Sequence, residues 1–172
     1  MRKTSAAVGS AVFFALAPGV VAGLGPWSLT RWQAGAPYAS WLPLRVAGAL
    51  LVAAGAAVLT HAFGRFVVEG LGTPAPVAPT EHLVVSGLYR YVRNPMYLAV
   101  TATILGQALL LWRPVLLAYA AVVAAAFVVF VLGYEEPTLR RQFGASYEEY
   151  RRAVPAWWPR LRGRGRRSGS TR

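Results

Sequence analysis

The residues able to do chemistry gather in two places. The first is Gly87 to Val100, GLYRYVRNPMYLAV, where Arg90, Arg93 and Asn94 stand among Tyr89, Tyr91 and Tyr97 at the edge of an apolar run. Asn94-Pro95 reads as a helix N-cap followed by proline at the first helical position. A helix starting there turns its free N–H groups and positive dipole end outward, a ready site for a carboxylate or a phosphate. The same pair is also simply a good way to begin a helix. The second place is Glu135-Glu136, at the end of another apolar run. A carboxylate is costly against lipid and normally has a partner there, and a helix C-terminus prefers cations. The pair therefore either meets a ligand or bridges to Arg140 or Arg90.

Composition narrows the chemistry. The chain has 172 residues and no cysteine, which excludes disulfides, thiolate catalysis and Cys-ligated zinc. Two histidines, His61 and His82, are too few for a His-rich metal site, and no metal is expected. The formal net charge is +12. With 56% hydrophobic and only 14% charged residues, that charge points to an anionic membrane surface rather than to nucleic acid.

The elements that must position these residues are apolar helices. Four runs approach the roughly 20 apolar residues that cross a bilayer: Ala6 to Pro26, Trp41 to Phe63, Met96 to Trp112, and Pro114 to Gly133. Only Arg113-Pro114 separates the last two, which predicts a tight antiparallel hairpin. Arg2 and Lys3 before the first run resemble a signal peptide, but the run is long and Ala15-Leu16-Ala17 is followed by Pro18, so cleavage is not expected. With four spans, the termini and middle loop share one side and hold fifteen of the eighteen basic residues. Arg31, Arg45 and Arg113 fall on the other. The asymmetry predicts cytoplasmic termini in the inner membrane. Gly48, Ala49, Ala53, Gly55, Ala56 and Ala57 make the second run small-faced, and Ala120, Ala121, Ala124 and Ala125 do the same for the fourth, as close helix packing in lipid requires.

The polar parts follow. Gly64 to Arg93 reads as a loop kept extended by Pro74, Pro76 and Pro79. After the Glu pair, Thr138 to Phe143 should be helical with Gly144 as its stop. Ser146-Tyr147-Glu148-Glu149 reads as a capping box opening a helix at Tyr147 that ends before Pro155. Trp157 and Trp158 suit a membrane interface. The fold class is thus an all-α polytopic membrane protein with short cytoplasmic C-terminal helices. Residues 1–159 form one domain, and 160–172 is a basic segment expected to stay disordered and to touch anionic headgroups.

Gly87, Tyr89, Arg93, Pro95 and Tyr97, followed by Glu135-Glu136, Leu139, Phe143-Gly144, Tyr147, Tyr150, Val154 and Pro155, carry a resemblance. They resemble the pattern of integral membrane methyltransferases related to isoprenylcysteine carboxyl methyltransferase and the phospholipid methyltransferases. The resemblance covers about Thr80 to Pro159. It implies S-adenosylmethionine as cofactor and methyl transfer to a small or lipid-like acceptor in the membrane, at its cytoplasmic face. By position it implies that His82, Leu83, Val84, Tyr89, Asn94, Pro95, Met96, Tyr97, Glu135 and Glu136 surround the cofactor. Arg93 is a substrate-binding candidate, and His82 is the candidate base should an amine acceptor need to lose a proton. The chemistry is apt: carboxylates suit an ammonium and ribose hydroxyls, tyrosine faces suit a sulfonium, and a helix start suits a carboxylate.

Two departures stand out. The family's usual histidine is Asn94 here, which can bind but not act as a base. The arginine that isoprenylcysteine enzymes place shortly before the Glu pair is missing from Val131-Leu132-Gly133-Tyr134, which argues against that substrate. A lipid amine, a carboxylate and a small hydrophobic alcohol remain as acceptors. The competing readings are an NADPH-dependent, sterol-reductase-like membrane enzyme and a non-catalytic membrane protein that keeps the scaffold.

Overall fold

The computed structural model describes residues 17–35, 41–69 and 83–159, and every regular element among them is helical. A helical turn from Ala17 passes through a π turn, Val20–Leu24, into α1, Gly25–Thr30. Helix α2 is Leu42–Glu69. A 3₁₀ turn, Gly87–Arg90, precedes α3, Pro95–Leu111. Helix α4, Val115–Phe130, continues through a second π turn, Val131–Glu135, into α5, Glu136–Phe143. Gly144 then turns the chain with a φ of 52° into α6, Ala145–Ala153.

Both π turns have the same cause in the sequence, a proline just beyond them. Pro26 has no N–H to give to the carbonyls one turn back, and Pro137 is in the same position. At the first turn the released carbonyls are recovered by side chains of other helices: Gln107 Nε2 donates to Ala22 O at 2.6 Å and Tyr119 Oη to Val21 O at 2.9 Å. In lipid such carbonyls have no water to fall back on. These two bonds therefore pin the first segment to α3 and α4.

Helix α2 packs on α3 at backbone distance. A methyl group built on Gly48 would lie 2.6 Å from Gly106 O and 2.6 Å from Leu110 N, and one on Gly106 would lie 2.8 Å from Gly48 O. Gly55 faces Thr103 and Ala99 in the same way. Without a hydrophobic force between helices in lipid, this close approach is where van der Waals packing is gained. The glycines alone fulfil the small-faced expectation for the second run, because Ala49, Ala53, Ala56 and Ala57 are exposed. On α4, Ala120 is buried while Ala121 and Ala125 are exposed. The core is completed by Leu59, Ala99, Val100, Ile104, Ala108, Leu116 and Val123.

Three residues, Trp112 to Pro114, join α3 to α4, with Trp112 in the left-handed region at φ 50°. Tyr97, at the start of α3, stacks against Phe127 near the end of α4, so the two run antiparallel. The stretches Leu42–Ala62 and Val115–Phe143 are long and apolar enough to cross a membrane, and only 17% and 22% of their apolar windows are buried inside the protein. Such outward apolar surface suits a lipid environment. Helix α3 is also apolar but shorter.

The two ends differ in charge. At one, Gly35 N donates to Leu111 O at 2.8 Å, Arg113 Nε to Gln33 O at 2.8 Å, and Trp41 meets Trp112. This end carries Arg31, Arg45 and Arg113. The other, where α3 begins and α4 ends, carries Arg90, Arg93, Arg140, Arg141, Arg151 and Arg152.

Several expectations are corrected. Helix α2 runs on to Glu69 and carries Gly64 inside it, so Gly64 does not open a loop, and Pro74, Pro76 and Pro79 lie outside the described residues. The fourth apolar run does not stop at Gly133 but stays helical to Phe143. The last helix begins at Ala145 with Gly144 at its N-cap, and Ser146 makes no capping bond. The turn forced by Gly144 starts the helix two residues before the expected position. The first apolar run is described from Ala17 onward, and His82 and 160–172 lie outside the described residues.

Candidate functional site at the start of α3

Pro95 opens α3 and Asn94 occupies the N-cap with φ −117° and ψ 53°, but the Asn94 side chain makes no capping bond. It is buried, at 6% exposure, and its Nδ2 has no partner. The backbone on either side is held by the C-terminal segment. Arg93 N donates to Pro155 O at 2.9 Å and Asn94 N to Ala156 O at 3.3 Å, two rungs that dock the residues after α6 beside the start of α3. Tyr150, on α6, donates its hydroxyl to Tyr89 O at 2.7 Å and fastens the 3₁₀ turn as well.

The acidic pair divides. Glu135 Oε2 accepts from the Tyr97 hydroxyl at 2.7 Å, and its other oxygen has no hydrogen bond among the described residues. Glu136 is buried and spent on arginines. Its Oε1 accepts from Arg93 Nη1 at 2.8 Å, and its Oε2 lies 3.7 Å from Arg140 and 3.6 Å from Arg151. Arg93 Nη1 also donates to the Tyr147 hydroxyl at 3.0 Å. Glu148 closes the lattice, 2.9 Å from Arg140 Nε and 3.5 Å from Arg151. Glu136 thus ties Arg93, two residues before α3, to both α5 and α6.

The π turn makes this division. The Glu136 N–H reaches back five residues to Val131 O, so Val131 and Glu136 fall on one face and both are buried. In unbroken α-helix, at about 100° per residue, the residue five along would be rotated off the inward face. The single wide turn brings Glu136 round to Arg93 while leaving Glu135 on Tyr97. π turns inserted in helices occur frequently at functional sites.

The surrounding phenols are fixed in their neutral form. Burial pushes Tyr89 well above the ordinary tyrosine range, with the Glu135 charge adding to it. Burial raises Tyr147 too, and Glu136 reinforces the shift. Tyr150 is raised by burial, partly offset by Arg93. All three remain hydrogen-bond donors throughout the physiological range.

Of the residues singled out from sequence, Arg93 meets Glu136 and Tyr97 meets Glu135, while Val84, Tyr89 and Met96 pack together against Ala62 of α2. Leu83 is half-buried in the extended approach to this cluster. Asn94 and Pro95 sit between the two groups. The bridge of the acidic pair to Arg140 forms as one alternative foresaw, but Arg93 and Arg151 join it and Arg90 does not; Arg90 lies over the Tyr91 ring instead. The helix continuing past the pair removes the dipole conflict at that position. Sequence reasoning gave no role to Tyr147, Tyr150, Arg151 or the carbonyls of Pro155 and Ala156. Tyr147 and Tyr150 carried a signal: three residues apart on a short helix, they share a face.

A family model, phospholipid methyltransferase, matches residues 44–146. The chain belongs to that family. Among curated proteins it is 37% identical over 83 residues to methanethiol S-methyltransferase 2 of Bradyrhizobium diazoefficiens, a match covering 46% of this chain and 29% of that protein. It is 35% identical over 81 residues to protein-S-isoprenylcysteine O-methyltransferase B of Arabidopsis thaliana, covering 46% of this chain and 41% of that protein. The chain therefore spans well under half the length of these relatives. No solved structure matches it. Family and outward apolar helices together define a membrane protein of the methyltransferase class.

Proposed function

We propose that the chain transfers a methyl group from S-adenosylmethionine to a small or lipid-like acceptor dissolved in the membrane. The carrying observation is that the start of α3, the turn before it and the carboxylates of the second π turn converge at one end of the apolar helices, inside the family-matched segment. The groups there fit such a cofactor. Glu135 has a carboxylate oxygen to spare for an ammonium or a ribose hydroxyl, and neutral phenols offer ring faces to a sulfonium. Leu83, Val84, Tyr89, Asn94, Pro95, Met96 and Tyr97 would line the rest. The bound cofactor supplies an activated methyl group. The chain's task is then to orient the acceptor in line and exclude water, an alignment that can lower a barrier by about 7–11 kcal/mol. His82 serves as base where the acceptor is an amine.

Glu136 has a different part in this reading: it holds Arg93 and the last two helices in place rather than meeting the cofactor. The chain crosses the inner membrane four times, α3 and α4 forming a hairpin, with the arginine-rich end and both termini cytoplasmic. Residues 1–159 act as one unit, and 160–172 meets anionic headgroups. Trp158, 82% exposed beside that end, suits the interface. The acceptor enters sideways from lipid and the cofactor from the cytoplasm.

Radiolabelled S-adenosylmethionine and NADPH, each titrated onto detergent-solubilised protein, test the reading. Saturable binding of the first alone is expected. Binding of NADPH alone would replace the reading with a reductase, and binding of neither would leave a non-catalytic scaffold.

A further inference from the structure

The end of the protein opposite the candidate site carries Arg31, Arg45 and Arg113 and no acidic side chain. The six carboxylates of the sequence are Glu69, Glu81, Glu135, Glu136, Glu148 and Glu149. Glu69 closes α2 at the site end, Glu135 and Glu136 meet the start of α3, and Glu148 and Glu149 are on α6. Glu81 is two residues from Leu83, and a chain advances at most about 3.6 Å per residue, so it stays at the site end as well. The three guanidiniums therefore have no counter-ion within the chain. Among the described residues their contacts are neutral. Arg31 Cζ lies 4.1 Å from the centroid of the Trp27 ring, and Arg113 Nε donates to Gln33 O at 2.8 Å. Arg45 is exposed one turn along α2 from Trp41, whose ring meets Trp112.

Two of these arginines are held in place. A guanidinium stacked on an indole keeps its N–H edge free for a second ligand. Arg113 commits Nε to a carbonyl and keeps both terminal nitrogens. The backbone joins the pair: Thr30 accepts from Trp32 N at its hydroxyl and from Gln33 N at its carbonyl, and Gln33 then receives Arg113. Arg31, Trp32 and Trp112 have φ of 50°, 53° and 50°, and among the described residues no other non-glycine residue has a positive φ. Side-chain-bearing residues held in that region cluster at active sites and ligand clamps. Depth adds a separate argument. Helix α3 has 17 residues, about 25 Å at about 1.5 Å per residue, against a hydrocarbon core of about 30 Å. With its start tied to the polar lattice at one boundary, its other end stops short of the opposite headgroups. A charge in that position is costly unless a headgroup comes inward to meet it.

We propose that Arg31 and Arg113, flanked by Trp27, Trp32 and Trp112, form a clamp for the phosphodiester of an anionic phospholipid in the leaflet opposite the candidate site. Arginine forks match phosphate oxygens, and the three exposed indoles suit the boundary between headgroup and acyl chain. The occupant is a lipid because the clamp lies below the plane of the opposite headgroups, among apolar rings. It is an anionic one because no carboxylate is at hand to receive the ammonium of a zwitterionic headgroup, whereas Arg45 adds a third cation. The clamp does not depend on the cofactor or on methyl transfer.

The full chain in detergent is washed at about 1 M salt, where charges are screened within about 3 Å and lipids on exposed basic segments are released. Retained phospholipid is then extracted and counted by mass spectrometry. The wild type should keep anionic phospholipid, and the pair Arg31→Gln with Arg113→Gln should keep about tenfold less or lower still. Arg141→Gln with Arg152→Gln removes the same charge from the other end and should retain as much as wild type. Equal retention by the two double variants, whether reduced or not, overturns the clamp. Thermal denaturation gives a second reading that does not need the double variant to fold. Added phosphatidylglycerol should raise the melting temperature of the wild type, as a ligand of the folded state does, and should raise that of Arg31→Gln clearly less. Arg31 touches only the Trp27 ring, so this variant keeps the fold. The same rise in both proteins, or none in the wild type, overturns the proposal. An equal rise with phosphatidylcholine would leave only an apolar girdle contact, and an equal rise with inorganic phosphate would make the occupant a free anion; either result also overturns it.

Discussion

At the residue scale the two glutamates, adjacent in sequence and alike in chemistry, have different environments. Glu136→Ala leaves Arg93 buried without its anion, which should cost about 3–5 kcal/mol, and the loss should show as a drop in melting temperature in detergent. Glu135→Gln keeps a partner for Tyr97 and removes only a charge. It should melt near wild type and bind S-adenosylmethionine more weakly, measured by titration below both melting temperatures. If Glu136→Ala melts normally, the lattice is idle in the folded protein. The phenols give a second prediction. Tyr89, Tyr147 and Tyr150 are raised in the folded state, against about 10 unfolded. Above that pH the unfolded chain sheds protons that the folded one keeps, so stability falls as pH rises. The contribution is whole below about pH 10 and disappears as pH climbs toward the raised values. Denaturation midpoints should hold steady from neutrality to about pH 9 and fall beyond it, and Tyr150→Phe should shallow that fall.

Elements were more legible than the contacts between them. The positions of α3 and α4 follow from apolar runs bounded by Asn94-Pro95 and Arg113-Pro114, punctuation that acts locally and so shows in the sequence. The stop at Gly144 is equally local. The π turns are not, although Pro26 and Pro137 are their visible cause. A proline in an apolar run can end a helix, kink it or widen one turn, and the choice is made by whether Gln107 and Tyr119 arrive from elsewhere to satisfy the freed carbonyls. Glu136 could not be separated from Glu135 for the same reason. Which of two small-residue sets on α2 faces its neighbour was likewise decided at a distance, by Gly106. That assignment is testable. Gly48→Ala places a methyl group against the backbone at Gly106 and Leu110, which cannot give way as a side chain can. It should cost about 1–3 kcal/mol, as overpacking does. Gly133→Ala meets nothing within 4 Å, and should be neutral or slightly stabilising. Equal melting temperatures for the two variants would mean that α2 and α3 are not packed at backbone distance.

On the scale of the whole molecule, charge and apolarity divide the labour. Apolar surface on α2 and α4 fixes the protein in lipid, while the arginine-rich end, where the candidate site lies, faces an aqueous boundary. Arg162, Arg164, Arg166, Arg167 and Arg172 extend that excess beyond the described residues. Their composition, basic with glycine and serine and no large apolar side chain, equips them for a surface rather than a core. Each basic residue near an anionic membrane contributes about 1 kcal/mol, and the effect fades over a Debye length, about 8 Å at physiological salt. Removing 162–172 should therefore leave S-adenosylmethionine binding in neutral detergent unchanged, because among the described residues the site is built from elements that precede Pro159. The same deletion should weaken association with vesicles rich in anionic lipid, most at low salt and hardly at all on zwitterionic vesicles. Co-flotation of purified protein with the two vesicle types, across a salt series, reads the difference directly. Cofactor binding that is lost in detergent and vesicles alike would mean instead that these residues fold back to complete the site, and the arginines would then belong to the chemistry rather than to the surface that surrounds it.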